Sequence, residues 1–360
     1  LGSASVKNIV KLNVINDISK KFTVNAIVNY SNQKVTGLST GDGGNARLSM
    51  LQNLLQYRPT IGKTGSDEDL KNLEVDPLDN QDSPTFQSPL ITIDSQKREA
   101  INRAINMSLQ LRYFITPHLT YNGLISYNDK SVKSKYFNDY RGIQAIRSGG
   151  PNGGVTNNIS TRLNYNNVLT YSNTFNKKHK LDVTLGQEYI YNYSEGLTAT
   201  ASAFPDVNLG WDKLQLGTIA GIPTTFAEDD KMLSFFSKAG YSYKNRYLLS
   251  ASIRADGSSK FGTENQWGYF PSVSAAWRVI EEDFMRKLPF FSDLKFRLSY
   301  GEAGNNRIEN YAALGIFNSG SYPLNNQTNI TAFQNNIPNP FLKWEATKST
   351  NIGIDLGFFN

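Results

Sequence analysis

The chain has 360 residues, 37 Lys and Arg against 31 Asp and Glu, 39% hydrophobic and 12% aromatic residues, and no cysteine. Without cysteine there is no disulfide framework and no thiolate metal site, and no apolar run approaches the ~20 residues of a membrane helix, so a helical membrane protein is excluded. The net charge of +6 is scattered rather than gathered in one basic patch with interleaved aromatics, which excludes a nucleic-acid surface.

In chain order, strands are predicted near 6–16, 21–35, 101–115, 119–133, 158–174, 179–195, 231–243, 247–256, 269–280, 292–301 and 344–358, eleven in all. In the second, Phe22, Val24, Ala26, Val28 and Tyr30 alternate with Thr23, Asn25, Asn29 and Ser31, and only Ile27 breaks the polar set. Successive side chains of a strand point to opposite faces, so this segment has one apolar and one polar side. The same rule sets Leu181, Val183, Leu185, Tyr189, Tyr191 and Tyr193 against Asp182, Thr184, Glu188 and Asn192. It also sets Leu294, Phe296, Leu298 and Tyr300 against Lys295, Arg297 and Ser299. Near the end, Ile352, Ile354, Leu356 and Phe358 alternate with Gly353, Asp355 and Gly357. Mean hydropathy is only -0.43. That value does not argue for solubility, because a barrel strand crosses the hydrocarbon core in roughly 9 to 11 tilted residues and turns only half of them to lipid.

The connections alternate in length. Asp17–Lys20, Thr116–His118, Phe175–Lys178 and Lys244–Arg246 read as tight turns, and 281–291 falls on the same side as one helical turn at the membrane edge. Long polar stretches lie at 36–100, 134–157, 196–230 and 302–343. Outer-membrane barrels have short periplasmic turns and long extracellular loops. The expected fold is therefore all-β, an antiparallel transmembrane β-barrel spanning 1–360 as one domain. On that assignment Leu1 is extracellular and Asn360 periplasmic. Intact bacterial barrels have even strand counts. The odd count, the lack of a secretory signal and a final strand that ends with the chain lead us to expect a piece of a longer protein, with at least one strand before Leu1 and more after Asn360.

Motifs that imitate chemistry fail on context. Gly62, Lys63 and Thr64 resemble the end of a phosphate loop, but Tyr57 stands where its first glycine should. The acids Asp67, Glu68, Asp69, Glu74, Asp76, Asp79 and Asp82 lack calcium-loop spacing and read as a solvated loop. His118 and His179 fall at tight turns with no nucleophile nearby, so no enzyme, metal or cofactor is expected. Gly41–Gly44 and Gly149–Gly154 read as loop punctuation, and Leu48, Leu51, Leu54 and Leu55 predict a short amphipathic helix over Leu48–Tyr57. Asp256 and Gly257 read as a hairpin exit in which glycine supplies unusual backbone angles, and Trp267, Tyr269, Phe270 and Trp277 as an interfacial aromatic girdle, with Trp344 alike.

Three long segments carry a resemblance. They are RADGSSKFG at 254–262 followed by WGYFPSVSAAWR at 267–278, SDLKFRLSYGEAGN at 292–305, and NPFLKWEATKSTNIGIDLG at 339–357. Together they resemble the barrel signature of SusC/RagA-type TonB-dependent transporters of Bacteroidetes outer membranes. The matching scaffold positions are Arg254, Asp256, Gly257, Phe261, Gly262, Trp267, Gly268, Tyr269, Pro271, Trp277, Tyr300, Gly301, Gly304, Asn305, Trp344 and Glu345. The resemblance implies a 22-stranded barrel, of which this chain holds about 11 strands. It also implies a plug and TonB box outside this chain, TonB itself as energy-coupling partner, and a SusD-like surface lipoprotein as lid. The implied function is TonB-dependent import of a bulky nutrient, glycan or peptide, across the outer membrane. Trp211, Tyr322 and Phe333 are the candidate loop aromatics for ligand or lid contact. A passive porin or secretion-associated barrel and a soluble all-β adhesin remain as alternatives.

Overall fold

A computed structural model of the chain describes residues 3–37, 89–208, 210–285, 290–324 and 327–359. All eleven predicted strands form. They are β1 (Ala4–Ser19), β2 (Phe22–Thr36), β3 (Gln96–Thr116), β4 (Leu119–Asn138), β5 (Asn152–Phe175), β6 (His179–Ser202), β8 (Thr224–Tyr243), β9 (Tyr247–Ser258), β10 (Trp267–Arg278), β11 (Phe291–Asn305) and β14 (Glu345–Phe358). Three further strands lie in the long connections: β7 (Ile219–Ala220), β12 (Phe317–Leu324) and β13 (Gln327–Gln334).

One 12-stranded antiparallel sheet runs β1-β2-β3-β4-β5-β6-β8-β9-β10-β11-β14, with β7 paired to β6, and β12 and β13 form a separate hairpin. The sheet does not close on itself: β1 and β14 are its two ends, each paired on one side. Among the described residues no helix is long and apolar enough to cross a membrane.

Register shows why each strand has two characters. Across β2, β3 and β4 the apolar positions align in rows, as in Val28, Met107 and Tyr127, while the rows between them hold Asn29, Asn106 and Asn128. Farther along, Tyr241 and Leu249 share a row and extend to Ala275, Leu298 and Ile352. The apolar face is open to its surroundings, with Leu185, Phe235, Leu249, Ile253, Val273 and Leu298 all exposed. A sheet whose greasy side stays uncovered needs a greasy solvent on that side. Ile27, which broke the polar set, lies on the polar face opposite Asn13 and Ser108.

The connections are shorter than the sequence indicates, because the strands run past the apolar band. The stretch read as a loop at 134–157 shrinks to 139–151, where a short helix α1 (Ile143–Arg147) sits, and 196–230 shrinks to 203–223. The stretch at 302–343 carries the β12–β13 hairpin. The cause is that polar alternation continues above the band, so hydropathy marks where lipid stops and not where pairing stops. Gly153 and Gly154 are accordingly strand positions rather than loop punctuation: a Cβ there would stand 2.8 Å from the Phe137 ring and 2.6 Å from the Tyr136 ring. Gly149 and Gly150, with φ of 74° and 142°, are the turn glycines. The helix expected over Leu48–Tyr57, the acidic run 67–82, the phosphate-loop mimic and Gly41–Gly44 lie outside the described residues.

Candidate functional site

On the polar face, β6, β8 and β9 build a charged cluster around Arg254. Its guanidinium donates to Asp256 at 2.6 Å and to Glu188 at 2.8 Å, and lies over the Phe236 ring at 5.5 Å from the centroid. Phe236 lies flat across Gly186, where any Cβ would collide with the ring. Ser234, beside Asp256 in register, is fully buried. The glycine thus makes room for the ring, the ring carries the cation, and the cation holds two carboxylates at fixed positions. A cation bridging two carboxylates on a rigid wall offers a directed acceptor and donor set to a polar ligand.

Toward the tight-turn end the same face forms a cavity of about 950 Å³ lined by Lys180, Asp182, Lys238, Lys295, Arg297 and Asn351 among others. Lys180 pairs with Asp182 at 3.5 Å, and Asp355 takes both Lys295 at 3.6 Å and Arg297 at 2.8 Å. Toward the β3–β5 side the polar face is mostly amide and hydroxyl, with Asn102, Asn106, Asn128, Asn158 and Ser160 in adjoining rows.

At the long-loop end the three motif segments, distant in sequence, meet. Trp344 donates Nε1–H to the Gln266 carbonyl at 2.9 Å and packs on Phe261 at 5.1 Å and Phe270 at 5.4 Å between ring centroids. Gly268 and Gly304 leave the space the Phe270 ring fills, and Gly262 lets the Pro340 carbonyl approach. Asn305 donates to Glu345 at 2.9 Å. Three expectations are corrected here. Phe270 and Trp344 are not girdle residues but buried and half-buried members of this rim cluster, because Phe270 falls on the polar parity of β10. Gly257 is an ordinary strand residue without a positive φ, whose missing side chain admits the Trp267 indole.

Trp267, Tyr269 and Trp277 do lie on the apolar face, at its two ends. Trp267 stacks on Phe235 at 6.3 Å, and Trp277 continues a row of Tyr243, Tyr247, Trp277 and Phe296 with rings 6.3–6.4 Å apart. Pro271 shares this face, opposite Ile253 and one residue before pairing with β11 begins, so its missing N–H leaves that ladder intact. Gly301 pairs with Ser272, and Tyr300 donates to Glu302. A clamp not anticipated from sequence closes this edge: Glu282 accepts from Tyr247 at 2.6 Å, Trp277 at 3.1 Å and Arg246 at 2.9 Å. Those bonds, with the Tyr247 hydroxyl foremost, hold the Glu282 carboxyl below its usual range.

The three loop aromatics fall on two separate elements. Trp211 is half-buried in a 3₁₀ turn (Gly210–Leu216), packed against Phe137, Ala201 and Phe204, with Lys135 Nζ 5.6 Å from its ring. Tyr322 and Phe333 are exposed on the β12–β13 hairpin. The structure brings the latter two onto one hairpin and leaves Trp211 in a small core of its own. A strap at 306–314 crosses back to β8, where Tyr311 Oη donates to Asp229 Oδ1 and accepts from the Asp229 N–H, and Asn310 donates to Glu228.

Residues 21–360 match the family model described as TonB dependent receptor-like, beta-barrel. The chain is 34% identical over 254 residues to the TonB-dependent receptor P39 of Formosa agariphila, covering 68% of this chain and 23% of that protein. It is 32% identical over 222 residues to the TonB-dependent receptor SusC of Bacteroides thetaiotaomicron, covering 59% of this chain and 21% of that one. Among solved structures, the RagAB peptide transporter superposes with a TM-score of 0.78 at 19% identity, over 99% of this chain and 39% of that one. The chain therefore spans about a fifth to two-fifths of the length of these proteins.

Proposed function

The chain belongs to the TonB-dependent receptor-like β-barrel family and is of SusC/RagA type, and from that premise we propose that it forms part of the wall of an outer-membrane importer for bulky nutrients. The family is one of receptors and transporters rather than enzymes, and its barrels reside in outer membranes. The observation that carries the proposal is the two-faced sheet: an exposed apolar side bounded by aromatic rows, and a polar side bearing the Arg254 cluster. A wide barrel needs such an inner wall, because narrow barrels fill their interior with side chains.

The finer reading has a 22-stranded barrel in which residues outside this chain supply the remaining strands, a plug and a TonB box. A SusD-like lipoprotein closes the long-loop end, with Tyr322 and Phe333 presented toward it and Trp211 bracing the neighbouring loop. Glycan or peptide is the cargo class, since amide and hydroxyl rows suit many weak directional contacts to a polar chain, and Arg254 with its carboxylates adds a charged station. Native mass spectrometry of the complex, drawn from outer membranes in mild detergent, tests this reading. It is expected to show a much longer chain together with a surface lipoprotein and retained oligomeric ligand. Uptake that persists after the proton-motive force is collapsed would instead describe a passive porin, and extraction without detergent would describe an adhesin.

A further inference from the structure

The tight-turn edge carries a feature that the import reading does not use. Lys20 and Lys21 form the β1–β2 turn, His118 the β3–β4 turn, Lys177 and Lys178 the β5–β6 turn, and Lys244 the β8–β9 turn, and every one of these side chains is exposed. Among the described residues none of the five lysines has an acidic partner. Backbone bonds weld the turns into one rim: Phe114 N–H donates to the Lys21 carbonyl, Ser172 to His118, Lys244 to Lys178, and Arg278 to Arg246.

Two of these lysines occupy positions that disfavour them. Asn176 and Lys177 have φ of 50° and 56°, and Lys244 and Asn245 have 49° and 59°. With Lys178 N–H donating to Phe175 O and Arg246 N–H to Tyr243 O, both are type I′ turns, whose central pair favours Asn and Gly. A lysine held in the left-handed region costs stability that asparagine or glycine would spare. The same choice at two turns sets a function against local stability. Directly beside these turns runs the aromatic row Tyr243, Tyr247, Trp277 and Phe296, with Lys244 Nζ 5.4 Å from the Tyr243 ring centroid. Amphipathic rings mark the headgroup level of a bilayer, so the ammonium groups stand where phosphates do.

We propose that the tight-turn rim is a docking collar for anionic glycerophospholipid headgroups of the adjacent leaflet, with Lys20, Lys21, Lys177, Lys178 and Lys244 as its cations. The inference rests on the outer-membrane wall reading above. Each lysine near an anionic headgroup contributes about fivefold in occupancy, and the effect is screened by salt.

The test uses the full-length protein in nanodiscs of phosphatidylcholine with a minority of phosphatidylglycerol, reading by native mass spectrometry the lipids that survive stripping. Phosphatidylglycerol should be retained over phosphatidylcholine by about fivefold or more, and the preference should fall as salt rises. The combined Lys20→Gln, Lys21→Gln, Lys177→Gln, Lys178→Gln and Lys244→Gln variant should abolish the preference, and arginine at the same positions should restore it. A Lys177→Gly, Lys244→Gly pair separates the collar from turn folding: it should raise stability while weakening lipid retention. Equal retention of both lipids by the wild type, an unchanged ratio in the glutamine variant, or loss of a co-purified protein with lipid unaffected would overturn the collar. Failure of the protein to insert in the nanodisc at all would overturn the wall reading instead.

Discussion

At Gly186 the absence of a side chain is what the wall is built on. The Phe236 ring occupies the space a Cβ would need, and Arg254 stacks on that ring. Gly186→Ala is expected to cost about 1–3 kcal/mol, as overpacking does, and Phe236→Leu in the same chain should recover part of it. Urea titration of the reconstituted barrel reads both. Arg254→Ala should cost about 1–3 kcal/mol through two lost charge-assisted bonds, and Arg254→Lys should recover only a fraction, because a single ammonium nitrogen lacks the planar spread by which Nη2 reaches Glu188 and Nε reaches Asp256. Glu282 provides a pH-dependent contact. Its carboxyl is depressed in the folded state by Tyr247, Trp277 and Arg246, so its contribution is present above the ordinary glutamate range near ~4.3 and is lost as pH falls through the lower folded value. Trp277 fluorescence should change over that acidic window in the wild type and stay flat in Glu282→Gln. A transition common to both would place its origin elsewhere.

Among the elements, the strands were legible and the loops were not. Phe22, Val24, Ala26, Val28 and Tyr30 announce β2 because a period of two survives wherever one face meets lipid. β12 and β13 are not legible in the sequence because Phe317, Tyr322, Pro323, Phe333 and Gln334 follow no such rule, being exposed on both faces. Phe270 and Trp344 were legible as scaffold but misplaced, since an aromatic near a strand end reads the same whether it faces lipid or a glycine-floored pocket across the sheet. The Arg254 ion pairs were invisible for a different reason: Glu188 sits 66 residues away, and only the β6–β8–β9 order brings it near. The strap at 306–314 offers a test at this scale. Tyr311→Phe removes the hydroxyl that joins it to Asp229. Amide exchange should quicken in 306–316 while the cores of β8 and β9 keep their protection, whereas faster exchange in those strands would show the strap to be part of the wall.

For the molecule as a whole, the height of the apolar band is written on one strand. Trp267 and Trp277 share a face of β10 ten residues apart, a rise of about 33 Å along the strand at ~3.3 Å per residue and about 25 Å along the membrane normal at a tilt near ~40°. In single-tryptophan variants made by Trp→Phe changes, bromine near the headgroups should quench each indole more than bromine at the chain ends. The reverse for either one would move that edge of the band. Sheet order has another consequence, for assembly. From β1 to β6 every pairing joins strands that are consecutive among the described residues, so the wall can grow as a ribbon, strand by strand. Three long joins interrupt it, β2 to β3 across 37–95, β6 to β8 across 203–223 and β11 to β14 across 306–344. Closing a longer loop costs little free energy but takes time. While any of these joins is open, a full-length row of unpaired N–H and C=O groups faces outward, able to recruit a strand from a neighbouring chain. The three long connections thus mark the moments at which an unfinished wall is most exposed to misjoining.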